Sequence, residues 1–195
     1  AHNNLGTAQR DLNQPKEAIA SFQRALRLKP EYAEAYNNLG TVLQERRQLE
    51  DAMKNYQLAL ELKPEYAEAH NNLGSVLRDL DQSMEAATSY QKAIALKPDY
   101  TEAHCNLGNV LRHLGNPETA IPNYNKALSL QPDYADAHNG LGAALREIGK
   151  LEEADASYRR AIALQPDFPE AHTNLGMLQL LQGNYSNGWN HYDWR

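Results

Sequence analysis

The sequence predicts an all-α fold: an α-α superhelix, a solenoid of antiparallel helix pairs with a 34-residue period. Three observations carry this. Pro30, Pro64, Pro98, Pro132 and Pro166 stand 34 residues apart. The Leu-Gly pairs at Leu5-Gly6, Leu39-Gly40, Leu73-Gly74, Leu107-Gly108, Leu141-Gly142 and Leu175-Gly176 keep the same period. So do Ala18, Ala52, Ala86, Ala120 and Ala154, and the aromatics Phe22, Tyr56, Tyr90, Tyr124, Tyr158 and Tyr192. Independent columns held in phase mark stacked copies of one supersecondary unit. The expected organisation is one array over residues 1–195, with repeats at 1–32, 33–66, 67–100, 101–134 and 135–168 and a partial or capping repeat at 169–195.

Residues 99–132 show how each repeat is built. Asp99 with Glu102 three residues later reads as a capping-box-like start of a first helix. Ala103, His104, Leu107, Gly108 and Leu111 recur at helical spacing, and Val110 widens the stripe. Gly115 ends that helix, as Gly149 and Gly183 do later. Pro117 suits the first turn of a second helix. Ala120, Ile121, Tyr124, Ala127, Leu128 and Leu130 form its apolar stripe. Pro132 ends it, because the residue before a proline avoids the helical region. Pro122 lies inside this helix, where it removes one backbone hydrogen bond and should bend the chain, at up to about 3 kcal/mol.

A glycine inside a helix costs about 1 kcal/mol against alanine. Six of them in one column therefore point to close packing of paired helices. The aromatic column on the second helices is expected to plug the gap between one repeat and the next. One helix pair cannot bury such a stripe alone, so neighbours must stack.

Composition narrows the function. The chain has 195 residues, 42% hydrophobic and 23% charged, enough for a row of small units. Lys plus Arg number 19 against 25 Asp plus Glu, a net charge of −6, which disfavours nucleic acid as a partner. No apolar run of membrane-spanning length occurs. The single cysteine, Cys105, allows no intramolecular disulfide and fits a reducing, cytoplasmic setting. No secretory leader opens the chain, and it begins with Ala1 rather than Met, as a fragment would.

On each first helix, offsets 0, 4, 7 and 11 from the acidic start share one face. These are Glu34, Asn38, Thr41 and Glu45 in the second repeat; Glu68, Asn72, Ser75 and Asp79 in the third; and Glu102, Asn106, Asn109 and His113 in the fourth. Asn4, Asn38, Asn72, Asn106 and Asn174 form one column. Asparagine is worse than alanine in a helix interior by about 0.6 kcal/mol. A solvated face would carry Glu, Lys or Gln more cheaply. An amide offers both donor and acceptor, so it can pair with a peptide backbone of any sequence. A ladder of amides could therefore hold an extended chain. The competing account is that each Asn bonds its neighbouring repeat, or is a relic of duplication. Gly140 takes the ladder position in the fifth repeat, and helical geometry keeps Asn139 beside it from replacing the rung.

These columns resemble the tetratricopeptide repeat (TPR) family over essentially the whole chain. The usual first-helix Trp is replaced by His2, Tyr36, His70, His104, His138 and His172. The resemblance implies a right-handed superhelix whose concave groove is lined by the first helices, and so places the polar face in that groove. Ala-His-Asn before Asn-Leu-Gly, with Ala-Leu-x-Leu-x-Pro later, is most similar to the TPR arm of O-GlcNAc transferase-like glycosyltransferases. There an asparagine ladder grips substrate backbone, and the five asparagines match it. A carboxylate clamp of the chaperone-binding kind would need basic residues on this face. Here the position before the ladder holds Asn3, Asn37 and Asn71, the start position holds Glu34, Glu68, Glu102, Asp136 and Glu170, and no ladder position is Arg. The acidic starts favour a neutral or basic peptide.

Other features are read as structural. Arg10, Arg78, Arg112 and Arg146 form a basic column expected to pair with Asp79, Glu147 or the next repeat's acids. The histidines sit on separate helices, too far apart for a shared zinc, and are expected to pack within the helix pairs. Cys105, at a groove-edge position, does not face His104 across a helix and is no nucleophile. No Gly-rich phosphate loop or G-x-S-x-G occurs, so no cofactor and no catalysis by the chain itself are expected. Near the end, Gly188 replaces the column's alanine and Arg195 stands where another would be. Trp189 or Trp194 should pack on something beyond the array. Two readings stand: a solenoid cap, or the junction that the Gly188-Trp189 ending resembles, where bacterial TPR arrays meet a glycosyltransferase-like domain. The expected function is a scaffold binding an extended peptide or partner protein, as the recognition arm of a larger glycosyltransferase. The alternative is a structural scaffold that self-associates through exposed end repeats.

Overall fold

The computed structural model describes residues 1–192. Twelve α-helices are found among them, in the order α1 (His2–Asp11), α2 (Pro15–Leu28), α3 (Ala33–Glu45), α4 (Leu49–Leu62), α5 (Ala67–Asp79), α6 (Ser83–Leu96), α7 (Thr101–His113), α8 (Pro117–Leu130), α9 (Ala135–Glu147), α10 (Leu151–Leu164), α11 (Pro169–Leu181) and α12 (Tyr185–Tyr192). The all-α solenoid class predicted from the period is the class observed. The chain divides into two compact units, Ala1–Pro98 and Asp99–Arg195.

Within each unit the helices pair in order, first with second, and each second helix packs on the next first helix. In the first unit, α1 also touches α3 and α3 touches α5; in the second, α7 touches α9 and α9 touches α11. Among the described residues, no second helix touches the next second helix within a unit. The row of first helices is therefore the tighter, inner row of each unit, and the second helices splay outward.

The first helices start later than the capping-box reading places them. α7 begins at Thr101, with Tyr100 at the N-cap and no side-chain cap bond, so Asp99 lies in the preceding turn. An aromatic residue occupies the same place at Tyr32, Tyr66, Tyr134 and Phe168. The expected stops hold. Pro117 sits in the first turn of α8, and that helix ends at Leu130, before Pro132. α8 runs unbroken through the exposed Pro122.

The loop from first to second helix needs one residue with positive φ. Glycine supplies it at Gly115, Gly149 and Gly183 (φ 78° to 80°). Asn13, Arg47 and Asp81 supply it in the first unit (φ 57° to 62°). An L-residue there costs roughly 1–2 kcal/mol, and Arg lacks the local hydrogen bond that eases Asn and Asp. The ion pair from Arg47 to Asp79 is long, at 3.8 Å, and the arginine is highly exposed. Arg47→Gly should therefore raise stability by about 0.5–1 kcal/mol, read as a higher urea midpoint at unchanged slope. An unchanged midpoint would count against this account.

The glycine column is explained by aromatic rings. A Cβ on Gly6 would meet the Phe22 ring at 2.7 Å; on Gly40, Tyr56 at 2.8 Å; on Gly74, Tyr90 at 2.7 Å; on Gly108, Tyr124 at 2.8 Å; and on Gly142, Tyr158 at 2.8 Å. Each ring thus fills the space inside its own helix pair rather than serving first as a plug between repeats. Tyr124 does both, because it also lies against Gly140 of the next repeat. The sixth pair differs. A Cβ on Gly176 would meet backbone, Gly188 O and Tyr192 N, both at 2.8 Å. Replacing the column's alanine by Gly188 lets α12 approach α11 backbone to backbone.

The histidine column has a specific job. His70, His138 and His172 each donate Nε2–H to a carbonyl, that of Pro64, Pro132 and Pro166 respectively, all at 2.9 Å. Each ring ties a first helix to the proline that closes the preceding repeat. Cys105 is buried with Tyr124, Ala137 and Ala144, a core position rather than the groove edge expected.

Candidate functional site

The predicted ladder lies on the inner row of each unit, and the structure shows how it is held. Asn38 donates Nδ2–H to Asn3 Oδ1 (3.1 Å), Asn72 to Asn37 Oδ1 (3.0 Å), and Asn174 to Asn139 Oδ1 (3.0 Å). Each of these three rungs is thus braced by the asparagine one position earlier in the preceding repeat. Asn3, Asn37 and Asn71 are buried, whereas Asn38, Asn72, Asn106 and Asn174 are half-buried and Asn4 is exposed. The bond to the neighbouring repeat, the rival of the ladder, is present. It fixes each amide's orientation and uses only one of its hydrogens, so it does not exclude a ligand.

The missing rung is explained by the same pairing. The brace joins residues 35 apart, which would couple Gly140 to Cys105. Both amides of that pair are replaced together, and a Cβ on Gly140 would meet the Tyr124 ring at 2.5 Å. Asn139 does not substitute as a rung; it braces Asn174.

Of the offset-seven residues, Thr41 and Asn109 meet tyrosines and Ser75 meets Gln44. Tyr56 O–H lies 3.4 Å from Thr41 Oγ1 and donates to Gln44 Oε1 (3.0 Å). Gln44 Nε2 donates to Ser75 Oγ and to Asp79 Oδ2, both at 3.1 Å. Tyr124 O–H donates to Asn109 Oδ1 (2.8 Å). Burial pushes the Tyr56 phenol up to about 12, so it stays a neutral donor. Thr41, Ser75 and Asn109 are therefore part of a polar network under the inner face, which sequence periodicity alone does not reveal. Of the acidic starts, Glu34 pairs with Lys63 (3.0 Å), and Glu68 Oε1 accepts from Asn37 Nδ2 (3.3 Å). A backbone hydrogen bond first, then Lys63, hold Glu34 below the ordinary carboxylate range. Glu102 is exposed.

Two of the four arginines pair as expected, Arg78 with Asp79 (3.2 Å) and Arg112 with Glu147 (2.8 Å), whereas Arg10 pairs with Asp11 of its own helix (3.2 Å). Arg146 has no acid partner among the described residues; its Nη1 lies 4.0 Å from Met177 Sδ.

On the outer side of the first unit, a groove of 810 Å³ runs between α4 and α6 over α5, lined by Leu60, Leu73, Leu96, His70 and Lys92 among others. It contains none of the site residues predicted from sequence. Among the described residues, no cluster of three or more His, Cys, Asp or Glu could hold a metal ion, and no helix is long and apolar enough to cross a membrane.

At the end of the second unit, Trp189 is exposed and meets Tyr192 edge-on at 5.7 Å. Trp194 and Arg195 lie outside the described residues. α12 is instead fixed by a histidine pair. The Pro166 carbonyl can only accept, so His172 carries its proton on Nε2 and offers a lone pair at Nδ1. His191 Nδ1–H donates to it (2.9 Å), with the rings stacked 5.1 Å apart. Burial first, then the cost of protonating His191 beside His172 and near Arg159, holds the His191 pKa below its ordinary value, against an opposing effect of Asp155. A base whose pKa falls on folding binds fewer protons folded than unfolded. Docking of α12 is therefore at full strength above roughly pH 6.5 and weakens as the pH falls below it. The protection of amides over Ser186–His191, taken relative to the intrinsic exchange rate at each pH, should fall on acidification through that window, and His191→Gln should abolish that fall.

Braced amides on an inner helical row define a helical-repeat scaffold of the kind that serves protein interaction. The chain belongs to the tetratricopeptide repeat family: the family's repeats match residues 6–46, 43–81 and 74–115, then 99–167 and 157–188. Solved structures agree. MamA is 27% identical, with a TM-score of 0.74 over 83% of this chain and 94% of that one. YrrB, described as a TPR protein with an unusual peptide-binding site, is 26% identical, with a TM-score of 0.71 over 89% of each chain. PilF of Pseudomonas aeruginosa shares the fold at 20% identity, with a TM-score of 0.86 over 97% of this chain and 86% of that one. No curated protein matches the chain. TPR-only folds of this kind are typically non-catalytic.

Proposed function

We propose that the inner face of the first helices of each unit binds an extended segment of a partner protein, with Asn38 and Asn72 contacting its backbone in the first unit and Asn106 doing so in the second. The observation that supports this is the brace. Asn38 and Asn72 each hold a fixed, half-buried amide, and no protein group bonds their Oδ1 among the described residues. A backbone N–H of an extended chain is the natural donor to such a row. The chemistry is indifferent to partner sequence, so side chains at Glu34, Glu68 and Glu102 would set preference. Capture of peptides from a lysate should succeed with the wild-type chain and fail with an Asn38→Ala/Asn72→Ala/Asn106→Ala variant of matched helicity. Equal capture by both would sink the ladder.

The finer reading makes this chain the substrate-recognition arm of a larger glycosyltransferase. It rests on the Asn-Leu-Gly columns and the Gly188-Trp189 ending alone. A parent chain that continued past Arg195 into further repeats only would overturn it. Self-association is the second reading, favoured by the exposed Leu181, Tyr185 and Trp189. A strictly monomeric light-scattering mass across concentrations would exclude it.

A further inference from the structure

A groove of 450 Å³ lies on the outer side of the first unit, between α2 and α4 over α3. Its floor is apolar, made by Ile19, Leu39 and Leu43, and its rim carries the exposed Lys16, Arg46 and Asp51. Neither cation has an acid partner among the described residues, and Asp51 is taken by Lys54 at 3.5 Å. Glu17 and Glu50 are exposed and do not line the groove. Both cations depart from the repeat. The position of Arg46 holds Leu12, Leu80, Leu114, Ile148 and Gln182 in the other repeats; that of Lys16 holds Glu50, Met84, Glu118, Glu152 and Ser186. Leu80 packs on the core of the unit, whereas Arg46 stands in solvent and puts a charge beside the apolar floor. The two departures meet in this one groove. α2 continues the sign: it carries Lys16, Arg24 and Arg27 against Glu17, and among the described second helices it alone has an excess of positive charge. The groove offers no row of free backbone groups to an extended chain. Ile19, Leu39 and Leu43 lie inside helices, and the loop amides of Arg46 and Gln48 donate to the carbonyls of Val42 and Leu43. A helix, whose backbone is satisfied internally, suits such walls.

We propose that this outer groove docks an amphipathic, acidic helix of a partner protein. The helix seats an apolar side chain on Ile19, Leu39 and Leu43 and sets a carboxylate, one turn away, against Lys16 and Arg46. Charge complementarity selects the occupant, since the two cations are unpaired and the acid on the rim is already neutralised. The site lies on the opposite side of the first unit from Asn38 and Asn72. It takes a partner of opposite sign to that favoured by the acidic starts, so it stands independently of the inner-face reading.

The test is fluorescence anisotropy with labelled, acetylated and C-terminally amidated helical peptides, carrying a Leu and, one turn later, Glu, Gln or Lys. Wild type should bind the Glu peptide about tenfold tighter than its Gln counterpart, the effect of one charge-assisted contact, and the margin should shrink as salt is raised. The Lys peptide should bind weakest. Arg46→Leu and Lys16→Glu each install a residue that other repeats carry at that position; together they should erase the margin, with the urea midpoint as the check on folding. The Asn38→Ala/Asn72→Ala/Asn106→Ala variant should keep it. Equal affinity for the Glu and Gln peptides, or a margin that survives both charge substitutions, would overturn the site. So would loss of binding in the asparagine variant, which would place the peptide on the inner face. A proline-broken peptide that bound as tightly as the helix would overturn the helical occupant. Binding of none of the peptides would overturn the outer groove and leave the inner-face reading standing.

Discussion

Tyr56→Ala should cost about 3–5 kcal/mol in urea unfolding. The ring is 1% exposed and fills the hollow left by Gly40. Its loss opens a cavity and strands Gln44 Oε1. A double-mutant cycle isolates the ring-to-glycine fit. Gly40→Ala alone should destabilise by about 1–3 kcal/mol, because the new Cβ meets a ring packed on all sides. In the Tyr56→Ala background the same change should stabilise, by about 1 kcal/mol, since only the gain in helix propensity remains. Additive effects would show that the glycine column is not explained by the aromatic column.

Gly176→Ala should undock α12. Elsewhere in the column an added methyl meets the edge of a ring. At Gly176 it meets the backbone of α12 at Gly188 and Tyr192, which cannot rotate away. The expected cost is about 1–3 kcal/mol, beyond the gain of about 1 kcal/mol from helix propensity. Hydrogen exchange should show loss of protection confined to α12. Protection retained there would place the helix contact elsewhere.

The candidate face is partly legible in the sequence. Periodicity puts Asn38 and Asn72 on one face with Thr41 and Ser75, and they lie there. It does not show that Asn3 and Asn37 are the partners that orient the rungs, because a spacing of 35 residues crosses from one repeat to the next. Nor does it show that Cys105 and Gly140 are a matched replacement. Sequence neighbours place Cys105 at the groove edge; its core position follows from contact with Tyr124 and Ala137. The spacing of successive first helices argues against a metal shared by the column histidines, but their carbonyl partners, and the contact of His172 with His191, emerge only from the fold.

The sequence by itself determined the repeat, the helix pairs and the stop positions. Those follow from local rules, in which a proline or a glycine acts on its own neighbours and a period of 34 leaves stacking as the way to bury the apolar stripes. The tertiary structure alone decided which amide braces which, which arginine is left without an acid, and how α12 seats. Those depend on atoms brought within about 3 Å from different repeats, where hydrogen-bond energy falls steeply with distance and angle. A column of identical residues has identical local prospects. Only packing separates Arg78, which has its aspartate, from Arg146, which has no acid among the described residues.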